Sequence, residues 1–191
     1  MNHVYKQDGG TCVAMALCNG IEDQLGLVVP KEEIEKYFKE HFHKGLDGVR
    51  LPKMLQRMKV DPLYGVKVKS YKCLYNSRKK KELFSSIVRT PLHKKEGAII
   101  MNMKIRNRKK GEKKIEIDKD GFYKPRTDRN VRSHHAMYIA RTARVGMLSL
   151  RTFFVVENSW GTDWGRDGCF YMTFPVMRTE AQSIYLVNFE L

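Results

Sequence analysis

The spacing of the apolar residues changes near the middle of the 191-residue chain. In residues 12–25 and 30–42, apolar residues recur every three or four positions, the spacing that places them on one face of a helix. Two shorter segments, 51–58 and 81–88, have the same character. Later in the chain the pattern becomes short runs rich in β-branched and aromatic residues, at 98–101, 136–140, 152–156 and 169–172. Helices first and strands afterwards predict an α+β fold with two segregated lobes.

The length suits a single domain, which we take as residues 1–191. We predict a helical lobe at about 12–92 and a β-rich lobe at about 97–191. A hydrophobic content of 42% is typical of globular proteins and excludes a disordered chain. No apolar run is long enough to span a bilayer, and no signal peptide is recognisable at the N-terminus. We therefore expect no membrane span, and we expect a monomer.

Lysine and arginine are in large excess, 36 against 21 aspartates and glutamates, which gives a formal net charge of +15. Such a charge attracts anionic partners of any class. Two basic runs, 78–81 and 104–114, carry part of it. We interpret them as solvated loops, with an anion-binding patch as the alternative. Because no aromatic residues are regularly interleaved for base stacking, we expect no specific nucleic-acid binding.

The four cysteines include no Cys-x-x-Cys pair, which is unlike a disulfide framework or a zinc site. We predict no disulfide, and the cysteine usage favours a reducing, intracellular compartment. A metal site at His41-x-His43 or His134-His135 is the weaker alternative, because neither pair has matching ligands nearby. We expect no metal and no other cofactor.

Cys12 stands at the predicted start of the first helix, after a turn of Gly9, Gly10 and Thr11, in which Thr11 can cap the helix. A helix N-terminus favours a thiolate, which is the reactive form of cysteine. Cys12 is therefore a candidate nucleophile. Cys18, in the middle of the same helix, is better explained as a buried core residue.

A nucleophilic cysteine needs a base, and a histidine base needs a group that orients its second ring nitrogen. His134 and His135 precede an apolar strand, and Asn158 follows the next strand. The amide oxygen of Asn158 can supply that orienting acceptor. Trp160 would then cover the histidine–asparagine bond and exclude water from it.

Three segments together resemble the papain-like cysteine proteases: QDGGTCVA at 7–14, SHHAM at 133–137 and NSWGTDWG at 158–165. The third segment is the most specific of them. The family also places its histidine and asparagine roughly 130–150 residues after the cysteine, and His135 and Asn158 agree with that order and distance.

The resemblance implies a helical lobe followed by an antiparallel, β-barrel-like lobe, with the active-site cleft between them. It implies a cysteine peptidase acting on peptide or protein substrates. Cys12 would be the nucleophile, His135 the base and acid, Asn158 the orienting residue and Trp160 their support. His135 is preferred to His134 because a small residue, Ala136, follows it.

The chain departs from the family at several positions. An ungapped alignment places Lys6 at the oxyanion-hole glutamine, whereas a one-residue deletion in the turn restores Gln7, which we favour. Val13 replaces the usual aromatic residue after the nucleophile. The glycine-rich strand that pairs with substrate has only Asp47-Gly48 as a candidate.

Two questions stay open at the level of the sequence. The alternative function is a weak or inactive homologue that acts as a basic binding module for anionic partners. Family precedent for location is the vacuole, the lysosome or secretion, against the intracellular compartment that the cysteine usage favours. The side-chain preference for substrate has no sequence signal.

Overall fold

The computed structural model describes residues 3–7, 10–42, 48–79, 82–106, 115–125, 131–144 and 152–191. Several predicted features lie outside these residues. They are Asp8 and Gly9 of the turn, His43, Asp47, residues 80–81 of the first basic run and residues 107–114 of the second.

The helices in the described part of the chain lie mainly in its first half. They are α1 (Cys12–Leu25), α2 (Lys31–His41), α3 (Leu51–Val60), α4 (Ser85–Lys94) and α5 (Phe174–Glu180), with a short 3-10 turn at Ser77–Lys79. The first three match the predicted segments closely. The predicted helix at 81–88 begins only at Ser85 and extends to Lys94.

Within the described residues, six strands form one antiparallel sheet in the order β1-β6-β2-β3-β4-β5. They are β1 (Lys67–Asn76), β2 (Ala98–Arg106), β3 (Val131–Arg144), β4 (Thr152–Glu157), β5 (Cys169–Thr173) and β6 (Ala181–Glu190). The mixed helical and antiparallel architecture is confirmed. The sheet is open rather than closed into a barrel, since β1 and β5 lie at its two edges.

β1 is a strand for which the apolar pattern gave no prediction. Most of its side chains are exposed or only partly buried, so it lacks the apolar alternation that identifies a strand from sequence. It is held by pairing with β6, at the other end of the chain. The sheet therefore joins residues from both halves of the sequence.

The two faces of the sheet bury two different apolar clusters. Ala136 and Tyr138 of β3 face α1, while the alternate residues Met137 and Ile139 belong to the cluster on the opposite face. Helix α1 packs very close to the sheet, because a Cβ on Gly20 would lie 2.6 Å from the Cβ of Ala98. This close packing sets the position of the helix that begins with Cys12.

Across the described residues, no helix combines the length and apolar character that a membrane crossing needs.

Candidate active site

Cys12 occupies the first position of α1 and is partly buried. Thr11 is the N-cap residue, and its carbonyl oxygen accepts a hydrogen bond from the Met15 N–H at 3.0 Å. The Thr11 hydroxyl does not make the capping bond that the sequence allowed. The first turn contains no acidic residue. The positive end of the α1 dipole therefore lies at Cys12, with no acidic side chain in the first turn to oppose it.

The other cysteines differ from Cys12 in their surroundings. Cys18 is completely buried in the core, and this burial raises the pKa of its thiol far above the usual range. Cys169 is buried in β5, where desolvation raises its pKa to about 11. Cys73 is exposed on β1, and its sulfur lies 3.4 Å from the carbonyl oxygen of Tyr75. None of the four cysteines forms a disulfide in the structure.

His135 and Asn158 form a short hydrogen bond, with 2.6 Å between Nε2 and Oδ1. Both side chains are buried, at 6% and 2% exposure. The N–H of Ser159 donates to the same Oδ1 at 2.8 Å, so the asparagine oxygen accepts from two donors. An amide oxygen cannot donate, so the His135 proton in this bond lies on Nε2. The Nδ1 atom is thereby left as the ring nitrogen that can exchange a proton with another group.

The backbone also holds Asn158 in place. Its N–H donates to the carbonyl oxygen of Gly168 at 3.0 Å, directly after the end of β4. Among the described residues, the buried Nδ2 of Asn158 has no hydrogen-bond partner. Leaving a buried amide donor unpaired destabilises the fold.

Trp160 lies against the imidazole of His135. Their ring centroids are 5.2 Å apart, and the ring planes are tilted by 31°. Trp164 contacts Trp160 edge to face at 5.1 Å and then contacts Phe170 at 5.8 Å. The two tryptophans thus have different positions, because Trp160 covers the histidine and Trp164 connects that cover to the core.

Residues 157–168, which we call the asparagine–tryptophan segment, contain two glycines that no other residue could easily replace. At both, a side chain would clash with a neighbouring atom and the backbone is left-handed. Gly165 has φ +70°, and a Cβ there would lie 2.3 Å from the carbonyl oxygen of Cys169. Gly168 has φ +82°, and a Cβ there would lie 2.4 Å from Cγ1 of Val4. Side chains rarely adopt this backbone conformation, so both positions favour glycine strongly.

The N-terminal segment, residues 3–7, runs antiparallel to the asparagine–tryptophan segment, with Lys6 opposite Trp160. The Gln7 N–H donates to the Ser159 carbonyl at 2.8 Å, and the Ser159 hydroxyl donates to Oε1 of Gln7. Lys6 is exposed, and its aliphatic chain runs beside Gly161. Of the two residues considered at the glutamine position, Gln7 is the one whose side chain is joined to the asparagine–tryptophan segment.

His134 points away from His135, as neighbouring residues in a strand do. It is exposed, and the pKa of its imidazole is lowered by partial desolvation and by the positive charges of Arg78 and Lys104, while a hydrogen bond with Gln182 opposes this shift. Only His135 bonds to Asn158.

The structure joins Gln7, His135, Asn158 and Trp160 through one connected set of contacts. Ser159 links this set, since its hydroxyl bonds Gln7 and its N–H bonds Asn158. The role of Ser159 was not predicted, although its place between Asn158 and Trp160 was the available signal. Cys12 stands at the start of α1 and packs against a large apolar cluster that also includes Ala136.

Within the described ranges, no group of three or more histidine, cysteine, aspartate or glutamate side chains is arranged to hold a metal ion. Of the two histidine pairs considered as ligands, His43 lies outside those ranges, and His135 is bonded to Asn158.

Comparison with known proteins gives a consistent result. Residues 50–184 match the model of the papain family of cysteine proteases. The fold is similar to that of the bromelain protease from Ananas comosus in complex with the E64 inhibitor, with a TM-score of 0.62 and 13% identity over 98% of this chain and 94% of that one. It is also similar to the proform of Amb a 11, a cysteine protease and ragweed pollen allergen, with a TM-score of 0.63 and 14% identity.

That second alignment covers 98% of this chain, which spans only 62% of the ragweed proform. At these identities the structural likeness concerns the fold alone. No curated protein sequence matches the chain significantly.

Proposed function

Because the chain belongs to the papain family of cysteine proteases, we propose that it hydrolyses peptide bonds through a thiolate on Cys12. The partially buried thiol at the start of α1 supports this assignment, since the helix dipole lowers the cost of ionising it. Cys18 and Cys169 are unsuitable as nucleophiles because burial keeps their thiols protonated.

In the proposed reaction, Nδ1 of His135 takes the thiol proton, and the Cys12 sulfur attacks the carbonyl carbon of the scissile bond. His135 then gives the proton to the departing amine as the carbon–nitrogen bond breaks, which leaves a thioester on Cys12. A water molecule, deprotonated by His135, attacks the thioester and releases the acid product, and the thiol form of Cys12 is restored.

Asn158 acts in this scheme as a positioning residue for the imidazole. Its hydrogen bond fixes the proton on Nε2, so that Nδ1 is the atom that exchanges protons with Cys12. The indole of Trp160 covers the buried pair and excludes water, which strengthens the bond because the local dielectric constant is low.

We assign the oxyanion hole to the backbone N–H of Cys12 and the side-chain amide of Gln7. The Ser159 hydroxyl donates to Oε1 of Gln7, so it fixes which end of that amide is the acceptor. The Nε2 hydrogens at the other end are then the groups of this side chain that can donate to an oxyanion.

We also propose that the site lies between two lobes of the protein. We place Cys12 on a helical lobe at about 12–92 and place His135 and Asn158 on a β-rich lobe at about 97–191, with substrate in a cleft between them. The packing of α1 against β3 supports a close approach of the two sides at this point.

The observation that carries the proposal is the buried 2.6 Å bond between His135 and Asn158 beneath Trp160. Hydrolysis of a fluorogenic peptide library by wild type, by Cys12→Ala and by the matched control Cys73→Ser tests it. We expect activity in wild type and in Cys73→Ser, and none in Cys12→Ala. Hydrolysis that survives in Cys12→Ala would reject the proposal. Folded wild type without any hydrolysis, but with steeply salt-dependent binding of anions, would favour the basic binding module instead.

A further inference from the structure

Lys6 lies beside the residues that orient the imidazole of the candidate site. It stands opposite Trp160 in the antiparallel pairing of the N-terminal segment with the asparagine–tryptophan segment. The two backbone hydrogen bonds that bracket this pair, at 2.8 and 3.1 Å, join the residues before and after each of them. Lys6 and Trp160 therefore form the kind of antiparallel pair that exchanges no backbone hydrogen bond. In such a pair the Cα atoms are closest, about 4.5 Å apart, and both side chains lie on the same face.

Side-chain contacts continue from Lys6 and Trp160 towards the imidazole. The indole of Trp160 is only partly buried, and it lies 5.2 Å from the His135 ring, centroid to centroid. The aliphatic chain of Lys6 runs along Gly161, since a Cβ there would lie 3.4 Å from Cδ of the lysine. The ammonium group, two bonds beyond Cδ, therefore lies at the surface beside Trp160 and Gly161.

The charge of Lys6 is not neutralised within the described part of the chain. Lys6 is exposed, and no ion pair of the described residues includes it. Asp163, two residues after Gly161, is also exposed and belongs to none of those pairs. The lysine is therefore a cation beside the site that can pair with a carboxylate of a bound peptide.

The position of His135 decides which part of a substrate passes Lys6. In the proposed reaction this imidazole gives its proton to the departing amine, so the amine side of the scissile bond lies against the His135 ring. Trp160 covers that ring. Because an extended peptide advances about 3.3 Å per residue, the first two residues after the scissile bond are those that pass the indole and reach Lys6.

We infer that Lys6 is a specificity-determining residue, which binds a carboxylate carried by the first or second residue after the scissile bond. This rests on the proposed peptidase function of Cys12. The carboxylate belongs either to an aspartate or glutamate side chain or to the free C-terminus of a substrate that ends there. In both cases one ammonium group meets one carboxylate at the surface, which favours such a substrate modestly.

Matched peptides with Glu or Gln at each of these two positions test the side-chain source through kcat/KM. We expect wild type to prefer Glu, and Lys6→Gln to reduce the Glu-to-Gln ratio about twofold to fivefold, since an exposed ion pair contributes modestly. Lys6→Arg keeps the charge and should keep the preference. Lys6→Glu should reverse it, and added salt should weaken it in wild type.

Peptides that end at the first or second residue after the scissile bond test the other source. Each free acid is compared with its C-terminal amide. An acid preference that is lost in Lys6→Gln assigns the carboxylate to the peptide terminus, and a Glu preference that is lost there assigns it to the side chain. Equal kcat/KM in both comparisons, or preferences that Lys6→Gln leaves intact, would overturn the inference.

Lys39→Gln is the matched control, because Lys39 is an exposed lysine of α2 that lies outside the site. It removes the same charge and should leave both ratios unchanged. A substrate with an aminocoumarin leaving group has no residue after the scissile bond. An equally large loss on that substrate in Lys6→Gln would show that the lysine acts on the reaction itself, which also overturns the inference. Circular dichroism of every variant checks that the fold is retained.

A binding measurement separates this inference from the proposed reaction. Fluorescence anisotropy of the labelled peptides, with and without the carboxylate, is measured with Cys12→Ala and with Cys12→Ala/Lys6→Gln. Tighter binding of the carboxylate peptide that depends on Lys6, found without any hydrolysis by wild type, supports the recognition and rejects the proposed reaction. Hydrolysis that depends on Cys12, with no preference for either carboxylate, supports the reaction and overturns the recognition.

Discussion

The asparagine–tryptophan segment, residues 157–168, and the N-terminal segment, residues 3–7, both reach the candidate site, but they are held differently. The first is closed by its own hydrogen bonds, such as Gly168 N–H to the Trp164 carbonyl at 2.8 Å and Trp164 N–H to the Gly161 carbonyl at 3.3 Å. The second is held by the first, through Gly161 N–H to the Tyr5 carbonyl and Gln7 N–H to the Ser159 carbonyl.

Because of this difference, the His135 imidazole and the Gln7 side chain depend on different contacts for their positions. The direction of the His135 imidazole is set within the asparagine–tryptophan segment, by Asn158 and Trp160. The position of Gln7 is set from outside its own segment, by Ser159. Substitutions that alter 157–168 are therefore expected to affect both the imidazole and the oxyanion hole, whereas changes at residues 3–7 should leave the imidazole unaffected.

We expect the largest difference in kcat/KM between variants of the two neighbouring histidines. We expect His135→Ala to lower kcat/KM about 10²- to 10⁴-fold, the usual contribution of a general base. His134→Ala, measured on an uncharged peptide, should change kcat/KM less than about threefold, because the imidazole bonded to Asn158 is that of His135 and His134 faces away from it. A larger loss for His134→Ala than for His135→Ala would contradict the assignment.

We expect the next largest effects from variants of the two tryptophans, one on turnover and the other on stability. Trp160→Ala admits water to the His135–Asn158 bond and should lower kcat/KM roughly tenfold to a hundredfold, since such a bond is worth on the order of 1–3 kcal/mol. Trp164→Ala should chiefly lower stability, by about 3 kcal/mol or less, because Trp164 is only partly buried.

Peptide turnover and urea unfolding of both tryptophan variants make this distinction. Equal turnover by Trp160→Ala and wild type would show that the indole does not protect the bond. A Trp164→Ala protein that keeps its stability and loses its turnover would reverse the two roles.

A smaller effect should come from the link between the two segments. Ser159→Ala removes the hydroxyl that orients Gln7 and should lower kcat about twofold to tenfold, since one neutral hydrogen bond is worth about 0.5–1.5 kcal/mol. The alkylation rate of Cys12 should stay unchanged, because the thiolate and imidazole are not altered. Lys6→Ala is the control, measured on a peptide without acidic residues, and an equal loss there would assign the oxyanion hole to Lys6 instead.

The smallest expected effect on function concerns the remaining thiols. Iodoacetamide at pH 8 should label Cys12 rapidly and Cys73 slowly, and it should leave Cys18 and Cys169 unmodified in the folded protein. The pKa of Cys169 is raised to about 11, so its thiolate is scarce at pH 8 and becomes abundant only above that pKa. In Cys73→Ser, mass spectrometry should find a single modified site. Modification of Cys169 as fast as Cys12 would show that β5 opens readily.

The sequence predicted the structure well where interactions between residues close in the chain determine the conformation. The apolar spacing of 12–25 identified α1. Cys18 was identified as a core residue because it lies on the buried side of that helix. Periodicity and turn chemistry act over a few residues, so they can be read without the fold.

Pairing between distant residues could be decided only in three dimensions. β1 has too little apolar alternation to be recognised as a strand, and it exists because β6 supplies its hydrogen bonds. The sequence favours Gln7 over Lys6 only through an assumed deletion, whereas the hydrogen bond between Ser159 and Gln7 joins two segments that are far apart in the chain. Lys104 likewise belongs to a basic run in the sequence, and only the pairing of β2 with β3 places it opposite His134. Such contacts depend on chain closure over many residues, for which the local sequence carries no signal.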